Sequence, residues 1–332
     1  MFKKIFAVLL VLVIIGLAVF KIFFDNTSLD KRLKEVKENL NSYQMEANME
    51  LINGEDIRQF LVDVSYEKKD NKDLFKVSLL DKGINQQQII LKNLDGVYVL
   101  TPALNQVYEF ESDWPLNYPK PYIYQSLLSV FEDEHKVEDS SNGYLVTSNP
   151  KFMDENKWKK QEVHFSKELK PISVYIYDQN NVAVVKVNFT KVDLNAKFSE
   201  NYFDVKENIK IARENLGTVE GKIELPLYPV NSLVDASLKE HSKYTINEVE
   251  VHIMSYEGSK PFTVIQKVLE DSEELVTFNV DGEVVDLING FGIYHDNILT
   301  YSYSGVEYNI YSDVLTLSEM IEVANGMEVA GK

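Results

Sequence analysis

The sequence has 332 residues, no cysteine and a formal net charge of −18, and together these exclude several classes of protein. A chain without cysteine has no disulfide framework, no thiolate chemistry and no lipid-modified cysteine at its N-terminus. An acidic surface repels nucleic acid, and the three arginines, Arg32, Arg58 and Arg213, are too few for a phosphate-binding cluster. We therefore expect two domains of ordinary size that bind no nucleic acid.

The N-terminus predicts a membrane anchor. Residues 5–24 are apolar apart from Lys21, and at about 1.5 Å per residue such a helix spans roughly 30 Å, the thickness of a bilayer core. A cleaved signal peptide, with Lys3 and Lys4 as its basic start, is the alternative, but the apolar run is long and no small-residue cleavage site follows it. Basic residues flank both sides, so the positive-inside rule does not fix the orientation. We predict an uncleaved anchor over residues 1–25.

A short helix and six strands are predicted next. The helix has apolar residues on one face: Leu29, Leu33, Val36 and Leu40. From residue 43 to residue 110 the apolar period changes from 3.6 to 2, because apolar and polar side chains alternate in six successive segments. Short strands so close together, each with one polar face, predict antiparallel pairing through hairpins.

A proline-rich segment interrupts these strands. Pro115, Pro119 and Pro121 are incompatible with a central strand, and residues 123–132 predict a helix. Four further strands are predicted before residue 193. The first domain is thus predicted over residues 28–206. A charged linker follows over residues 207–216, in a stretch from Val205 to Gly217 that is predicted to be helical.

Residues 217–332 predict a smaller, second β-rich domain. Seven segments between residues 246 and 313 have the alternation of strands, and the first of them begins at Ile246. A terminal helix follows, with Thr316 or Ser318 as its N-cap and Gly326 at its end.

No catalytic or metal-binding motif is present in the sequence. The five histidines have neither an H-E-x-x-H arrangement nor any other paired metal-ligand spacing: they are His135, His164, His241, His252 and His295. There is no nucleophile elbow, no P-loop and no complete G-x-G-x-x-G. The sequence therefore predicts a non-enzymatic protein without metal or cofactor.

The candidate ligand-binding surface is the face of the first strands that carries their apolar side chains. Ligand pockets are apolar concavities with few polar groups, so this face suits a lipid or acyl chain; an ordinary core under the helices is the alternative. The candidate residues are Met45, Met49, Phe60, Val62, Tyr66, Phe75, Leu79, Tyr98 and Leu100.

The proline-rich segment is the candidate lid or partner-binding loop. Its aromatic residues are Trp114, Tyr118, Tyr122 and Tyr124. Aromatic residues between prolines suit either a lid over the apolar face or a docking surface for another protein.

The order of these elements resembles the LolA/LolB-like lipoprotein-carrier fold. The resemblance covers residues 28–206 and depends most on the segment from Asp95 to Val107. This segment is similar to that family's motif, in which D-G is followed by W-x-Y-x-P-x-x-N-Q, with Tyr98 and Leu100 at its aromatic positions. It implies an incomplete antiparallel β-barrel with covering helices, a soluble part outside the cytoplasm and acyl chains as ligands. The arginine that latches a carrier's lid has only Arg58 as a counterpart, assigned by position.

Residues 217–332 resemble a domain of unknown function in envelope proteins of spore-forming Gram-positive bacteria. The segments P-L-Y-P-x-N, F-T-V-I-Q and V-E-Y-N-I-Y-S carry this resemblance. RseB-like regulators of envelope-stress sigma factors also combine a LolA-like domain with a smaller β domain. Because a tethered chain does not diffuse as a carrier must, a fixed acceptor, a sensor or a partner-binding protein fits the anchor better than a shuttle.

The fold expectation is a mainly β chain in three parts: a transmembrane helix, an incomplete antiparallel β-barrel with covering helices, and a smaller antiparallel domain. The leading functional hypothesis is a single-pass cell-membrane protein, its domains extracytoplasmic, that binds lipid or a lipoprotein acyl chain. The alternative is an envelope protein–protein module that supports a sporulation or germination enzyme or regulates a sigma factor.

Overall fold

The computed structural model describes residues 29–53, 56–110, 114, 120–150, 158–215, 225–229, 235–269, 274–287, 290–303 and 305–329. The predicted anchor lies outside these residues. Within them, no helix combines the length and the apolar composition needed to cross a membrane. This part of the chain is mainly β, with a large sheet of 12 strands, a second sheet of 7 and a pair of short strands.

Eleven strands of the large sheet follow one another in the chain. They are β1 Ser42–Asn53, β2 Asp56–Lys69, β3 Lys72–Asp81, β4 Gln86–Lys92, β5 Val97–Thr101, β6 Gln106–Phe110, β7 His135–Ser140, β8 Gly143–Ser148, β9 Trp158–Phe165, β10 Pro171–Asp178 and β11 Ala183–Asp193. Their order is β6-β5-β4-β3-β2-β1-β11-β10-β9-β8-β7, with antiparallel pairing throughout. The predicted hairpins are confirmed, whereas β7 was not predicted.

The alternation of side chains fixes the register of these strands. Met45 is opposite Val64 and Met49 is opposite Phe60 in the pairing of β1 with β2. A slip of one residue would expose this whole apolar set, so burial of one face specifies the register.

Four helices cover the sheets in the described residues: α1 at residues 29–39, α2 Tyr124–Leu128, α3 Val205–Asn215 and α4 Leu317–Asn325. Leu29, Leu33 and Val36 of α1 pack on one face of the large sheet, as their spacing predicts. A capping box at Thr316 begins α4, and Gly326 ends it.

The charged stretch assigned to a linker at residues 207–216 is helical, as predicted. Residues 205–215 form α3, which packs on the large sheet through the buried side chains of Ile209 and Ala212. The Arg213 guanidinium also donates a hydrogen bond of 2.9 Å to the Pro102 carbonyl oxygen. Burial of the apolar side of α3 therefore makes this segment part of the hydrophobic core on one face of the large sheet.

The second sheet is antiparallel. Its strands are β13 Ala236–Ile246, β14 Val249–Gly258, β15 Phe262–Val268, β17 Glu283–Leu287, β18 Gly290–His295, β19 Ile298–Tyr303 and β20 Val306–Tyr311, in the order β13-β14-β15-β20-β19-β18-β17. Two short strands, β12 Leu227–Pro229 and β21 Met327–Val329, pair with each other. The sequence did not predict β12, β13 or β21.

The start of the second sheet shows why β13 was missed. Its side chains are mostly exposed, so it lacks the alternation that marked the other strands. A turn at Asn247 and Glu248, with φ of 50° and 69°, then reverses the chain into β14. Such two-residue turns favour hairpins because their twist matches that of the strands.

One strand of the second predicted domain, residues 217–332, belongs to the large sheet. We call this domain the second unit. β16, Val276–Asn279, pairs in parallel with β6 and forms the edge strand of the 12-stranded sheet. Val284 and Phe291 of the second unit also pack in the larger hydrophobic core of the large sheet. The two predicted domains thus share a sheet and a core, while their exact limits stay a prediction.

Candidate functional site

The large sheet has two different apolar faces. We call the face that carries Tyr43, Phe60, Tyr66 and Phe75 the aromatic face; it belongs to the larger core. The opposite face carries Leu74, Ile89, Leu91, Tyr98 and Leu100, which pack against α3 and residues 198–203. Successive side chains of a strand point to opposite faces, so one strand supplies both cores.

Seven of the nine predicted ligand-binding residues lie together on the aromatic face: Met45, Met49, Phe60, Val62, Tyr66, Phe75 and Leu79. Each is at most 5% exposed. The placement of Tyr98 and Leu100 on this face is wrong, because β5 directs them to the opposite face and Val97 and Val99 to the aromatic one. The motif that resembles the lipoprotein-carrier family predicted the strand correctly. It did not predict which side chains of that strand lie on the aromatic face.

The predicted lid covers the aromatic face. Trp114, Tyr122 and Tyr124 are at most 4% exposed, and Tyr118 lies outside the described residues. Tyr43 donates from its hydroxyl to the Gln125 side-chain oxygen at 2.8 Å and accepts from the Tyr124 backbone nitrogen at 3.3 Å. These aromatic side chains fill the core in this conformation, so they do not form an exposed docking surface.

The tyrosines of this face remain protonated over the physiological range. Burial raises the pKa of Tyr43 well above 10.0, and burial together with the hydrogen bond to Asp73 raises that of Tyr66. The Tyr66 hydroxyl donates to the Asp73 carboxylate at 2.7 Å. Each hydroxyl therefore acts as a hydrogen-bond donor in the core.

The second unit also fills the aromatic face. The Phe291 ring meets the Trp114 ring edge-on, with centroids 6.4 Å apart, and Trp114 meets Phe75 in the same way at 6.5 Å. The buried Gln88 side chain accepts from the Phe291 nitrogen at 2.8 Å and donates to the Ser302 carbonyl oxygen at 3.2 Å.

Gly290 allows this close approach. Its φ is +129°, and a Cβ atom there would lie 1.7 Å from the Gln88 side-chain oxygen. No local pattern in the sequence indicates this long-range contact.

Among the described residues, a cavity that borders the predicted ligand residues is small. It measures about 10 Å³ and lies between Phe60, Leu79, Gln88, Gly290 and Tyr303. This is about the space of one water molecule. The Arg58 guanidinium lies above the neighbouring Tyr303 ring, 5.5 Å from its centroid, so this arginine contacts the second unit.

A larger opening lies beside α1, and we call it the α1 groove. Its volume is about 720 Å³, within the range of ligand pockets. The lining residues are Arg32, Glu35, Val36, Asn39, Leu40, Asp139, Tyr144, Lys167, Glu168, Leu194 and Asn195. Val36, Leu40, Tyr144 and Leu194 belong to the core of the aromatic face or pack against it, so the groove has an apolar floor.

Charged side chains at the rim of the α1 groove bind one another. Lys167 forms an ion pair with Asp139 and lies above the Tyr144 ring, with 4.5 Å from the ammonium to the ring centroid. Arg32 donates to the Lys167 carbonyl oxygen at 2.8 Å. The sequence did not predict this groove, because its walls come from α1, β7, β8 and the β9–β10 turn.

Two histidines meet in the second sheet. The His241 Nε2 and His252 Nδ1 atoms are 2.9 Å apart, and the ring planes differ by 12°. The His252 Nε2 atom lies 2.6 Å from the Glu250 carboxylate, which also pairs with Lys243 at 2.6 Å. Among the described residues, no group of three or more His, Asp or Glu side chains is placed to hold a metal ion.

Comparison with known proteins gives one close relative. The chain is 30% identical to sporulation protein YdcC of Bacillus subtilis (strain 168) over 318 residues, which are 90% of this chain and 88% of that protein. The chain belongs to the YdcC family of sporulation proteins. No family model matches the sequence. YdcC-family membership agrees with the predicted resemblance of residues 217–332 to proteins of spore formers.

Solved structures match this YdcC-family chain at low sequence identity. MucB matches with 13% identity over 91% of this chain and 96% of its own, at a TM-score of 0.35. The Pseudomonas aeruginosa MucA/MucB complex gives 12% identity over 90% and 96% of the chains, at 0.33. A putative lipoprotein-sorting protein domain from Vibrio parahaemolyticus gives 15% identity over 55% and 97%, at 0.32.

Proposed function

We propose that this YdcC-family chain is a non-enzymatic, membrane-anchored protein of the cell envelope that binds a protein partner during sporulation. Its two sheets would lie outside the cytoplasm, tethered by residues 5–24. We thus favour partner binding over lipid binding on the aromatic face.

The observation that carries this proposal is the filled aromatic face. A carrier of acyl chains needs an open apolar cavity, because a lipid chain gains affinity by transferring its methylenes from water to an apolar surface. Here Trp114, Tyr124 and Phe291 occupy that face, and the predicted ligand residues are buried beneath them. Opening it would separate the lid and Phe291 from the sheet and expose these side chains to water.

The anchor supports the same proposal from the sequence. A tethered chain does not shuttle between membranes, but it can hold a partner at one membrane. The absence of a catalytic motif in the sequence fits such a binding role.

Site-specific crosslinking tests the proposal. The chain contains no cysteine, so single cysteines can be introduced at exposed positions of both sheets, such as Leu61 and Tyr244, and crosslinked in sporulating cells. We expect a discrete protein adduct from some positions and none from the cysteine-free parent. Full-length protein that retains one lipid per chain in native mass spectrometry and forms no protein adduct would overturn the proposal.

A second candidate function is lipid binding in the α1 groove. Its volume of about 720 Å³ and its apolar floor favour this function, and its rim of paired charges suits a polar headgroup. Titration of the full-length chain with a fluorescent fatty acid tests it. Saturable binding that Leu194→Arg abolishes would support the groove as the site, and binding unchanged by this substitution would exclude it.

A further inference from the structure

We infer that one end of the large sheet faces the membrane surface and that the second sheet is held at the opposite end. This inference rests on the proposed anchor. It identifies the phospholipid headgroup layer as the partner of a surface formed by α1 and the turns beside it. We call this surface the near end of the sheet. The far end is the row of turns at the opposite ends of the same strands.

Hydrogen bonds define the near end. The Lys68 nitrogen of β2 donates to the Asn41 carbonyl oxygen at 2.8 Å, which places the β2–β3 turn beside the segment that joins α1 to β1. Arg32 of α1 bonds the Lys167 carbonyl oxygen in the β9–β10 turn. The α1 groove therefore lies at the near end.

Contacts with the second unit define the far end. Arg58 lies near the start of β2 and contacts Tyr303. Gln88 lies near the start of β4 and binds Phe291. Neighbouring strands of this sheet are antiparallel, so the starts of β2 and β4 lie at the end away from Lys68. The second sheet thus attaches opposite α1.

The tether is short compared with the sheet. Five Cα-to-Cα steps join Phe24, the last residue of the predicted anchor, to Leu29, and whatever their conformation they span at most about 18 Å. β2 has 14 residues from Asp56 to Lys69, so at about 3.3 Å per residue it measures roughly 45 Å. The start of α1 therefore stays close to the headgroups, whereas the far end can lie well beyond them.

The distribution of charge favours the same orientation. Residues 217–332 contain 20 acidic residues and 6 lysines, whereas residues 29–216 contain 31 acidic and 25 basic residues. Anionic headgroups repel the first set much more strongly per residue. The near end itself carries exposed charges of both signs: Lys31 and Lys34 pair with Glu35 and Glu38, while Lys68 and Lys69 are exposed on the β2–β3 turn.

The orientation has a functional consequence. The α1 groove would open close to the bilayer that holds the anchor, and the second sheet would be presented away from it. A protein partner that binds the second sheet would then come from the extracytoplasmic space and not from the same membrane.

Spin labels on single cysteines test this orientation in the full-length chain. The chain would be placed in vesicles of phosphatidylethanolamine and phosphatidylglycerol that contain a Ni²⁺-chelating lipid as a surface relaxation agent. Two exposed positions of one strand form the matched pair: Lys69→Cys at the near end of β2 and Ile57→Cys at its far end. Lys170→Cys and Tyr244→Cys provide a second pair, on the β9–β10 turn and on β13.

We expect the headgroup Ni²⁺ to accelerate relaxation of the labels at Lys69 and Lys170 more than of those at Ile57 and Tyr244. Equal effects at all four positions would overturn the inference, because they indicate a molecule lying flat, and a reversed order would also overturn it. Flotation distinguishes the two failures: a chain that does not float with the vesicles contradicts the anchor itself, whereas a floating chain with equal or reversed effects contradicts only the orientation.

Discussion

The aromatic face and the α1 groove border the same core but differ in what covers them. Trp114, Tyr124 and Phe291 cover the aromatic face and leave about 10 Å³ beside Phe60 and Leu79. The α1 groove keeps about 720 Å³ between a helix and three strand ends. One apolar surface can thus be structural core in one place and a binding surface in another, according to what the rest of the chain lays over it.

The difference also concerns stability. Filling the aromatic face removes large aromatic side chains from water, and such burial contributes most of the stabilisation of a core. Residues around the groove are partly exposed and contribute less. Substitutions should therefore be costly in the first region and nearly neutral for stability in the second.

The largest expected effect is that of Trp114→Ala. Removal of this fully buried ring should leave a cavity between Phe75 and Phe291 and lower the free energy of unfolding by about 4 kcal/mol, as for other buried aromatic residues. Urea unfolding measures this loss. If the filled face is what excludes lipid, the variant should also bind a fatty-acid probe better than the parent.

An exposed aromatic residue provides the control. Tyr311 is 42% exposed on the second sheet, so Tyr311→Ala should change stability by no more than about 0.5 kcal/mol. A Trp114→Ala variant as stable as this control would contradict the burial of the lid.

Gln88→Ala should break the contact between the two units. It removes the partner of the Phe291 nitrogen and of the Ser302 carbonyl oxygen, and two buried polar groups left unpaired cost about 3 kcal/mol. The neighbouring Gln87→Ala is the matched control, because that half-buried side chain bonds only the Ser78 hydroxyl and should cost less than about 1 kcal/mol. Equal losses in both variants would show that Gln88 does not join the units.

Leu194→Arg tests the other side of the comparison. This partly buried side chain borders the α1 groove, so the substitution should change the free energy of unfolding by less than about 1 kcal/mol while placing a charge in the opening. Urea unfolding beside probe titration separates the two effects. A loss as large as that of Trp114→Ala would mean that the groove region is core as well.

The smallest expected effect concerns pH. Burial, followed by the charges of His252 and Lys243, lowers the pKa of His241 below its usual value of 6.5. The unfolded chain then binds a proton at His241 more readily than the folded chain, so stability should fall as the pH decreases below about 6.5. His241→Ala should reduce this loss in urea unfolding at pH 7.5 and 5.5. An unchanged pH dependence in His241→Ala would contradict the shift.

Local patterns predicted most of the large sheet. The alternation in β1 to β6 requires one buried face, and the spacing of Leu29, Leu33 and Val36 requires a helix packed against it. The same patterns predicted the core residues from Met45 to Leu79 because period 2 leaves only one parity for them. They failed for β13, whose exposed side chains do not alternate, and for the parity of Tyr98 and Leu100.

The sequence by itself determined the hairpins, the apolar face, the apolar N-terminal segment and membership of the YdcC family, because each depends on residues close in the chain or on direct comparison. Only the tertiary structure decided that the apolar face is filled, that β16 joins the first sheet and that His241 meets His252. These features depend on contacts between distant segments: Gln88 and Phe291 are 203 residues apart. Such contacts are selected by packing and hydrogen bonding in the folded chain, and they leave no periodic signal in the sequence.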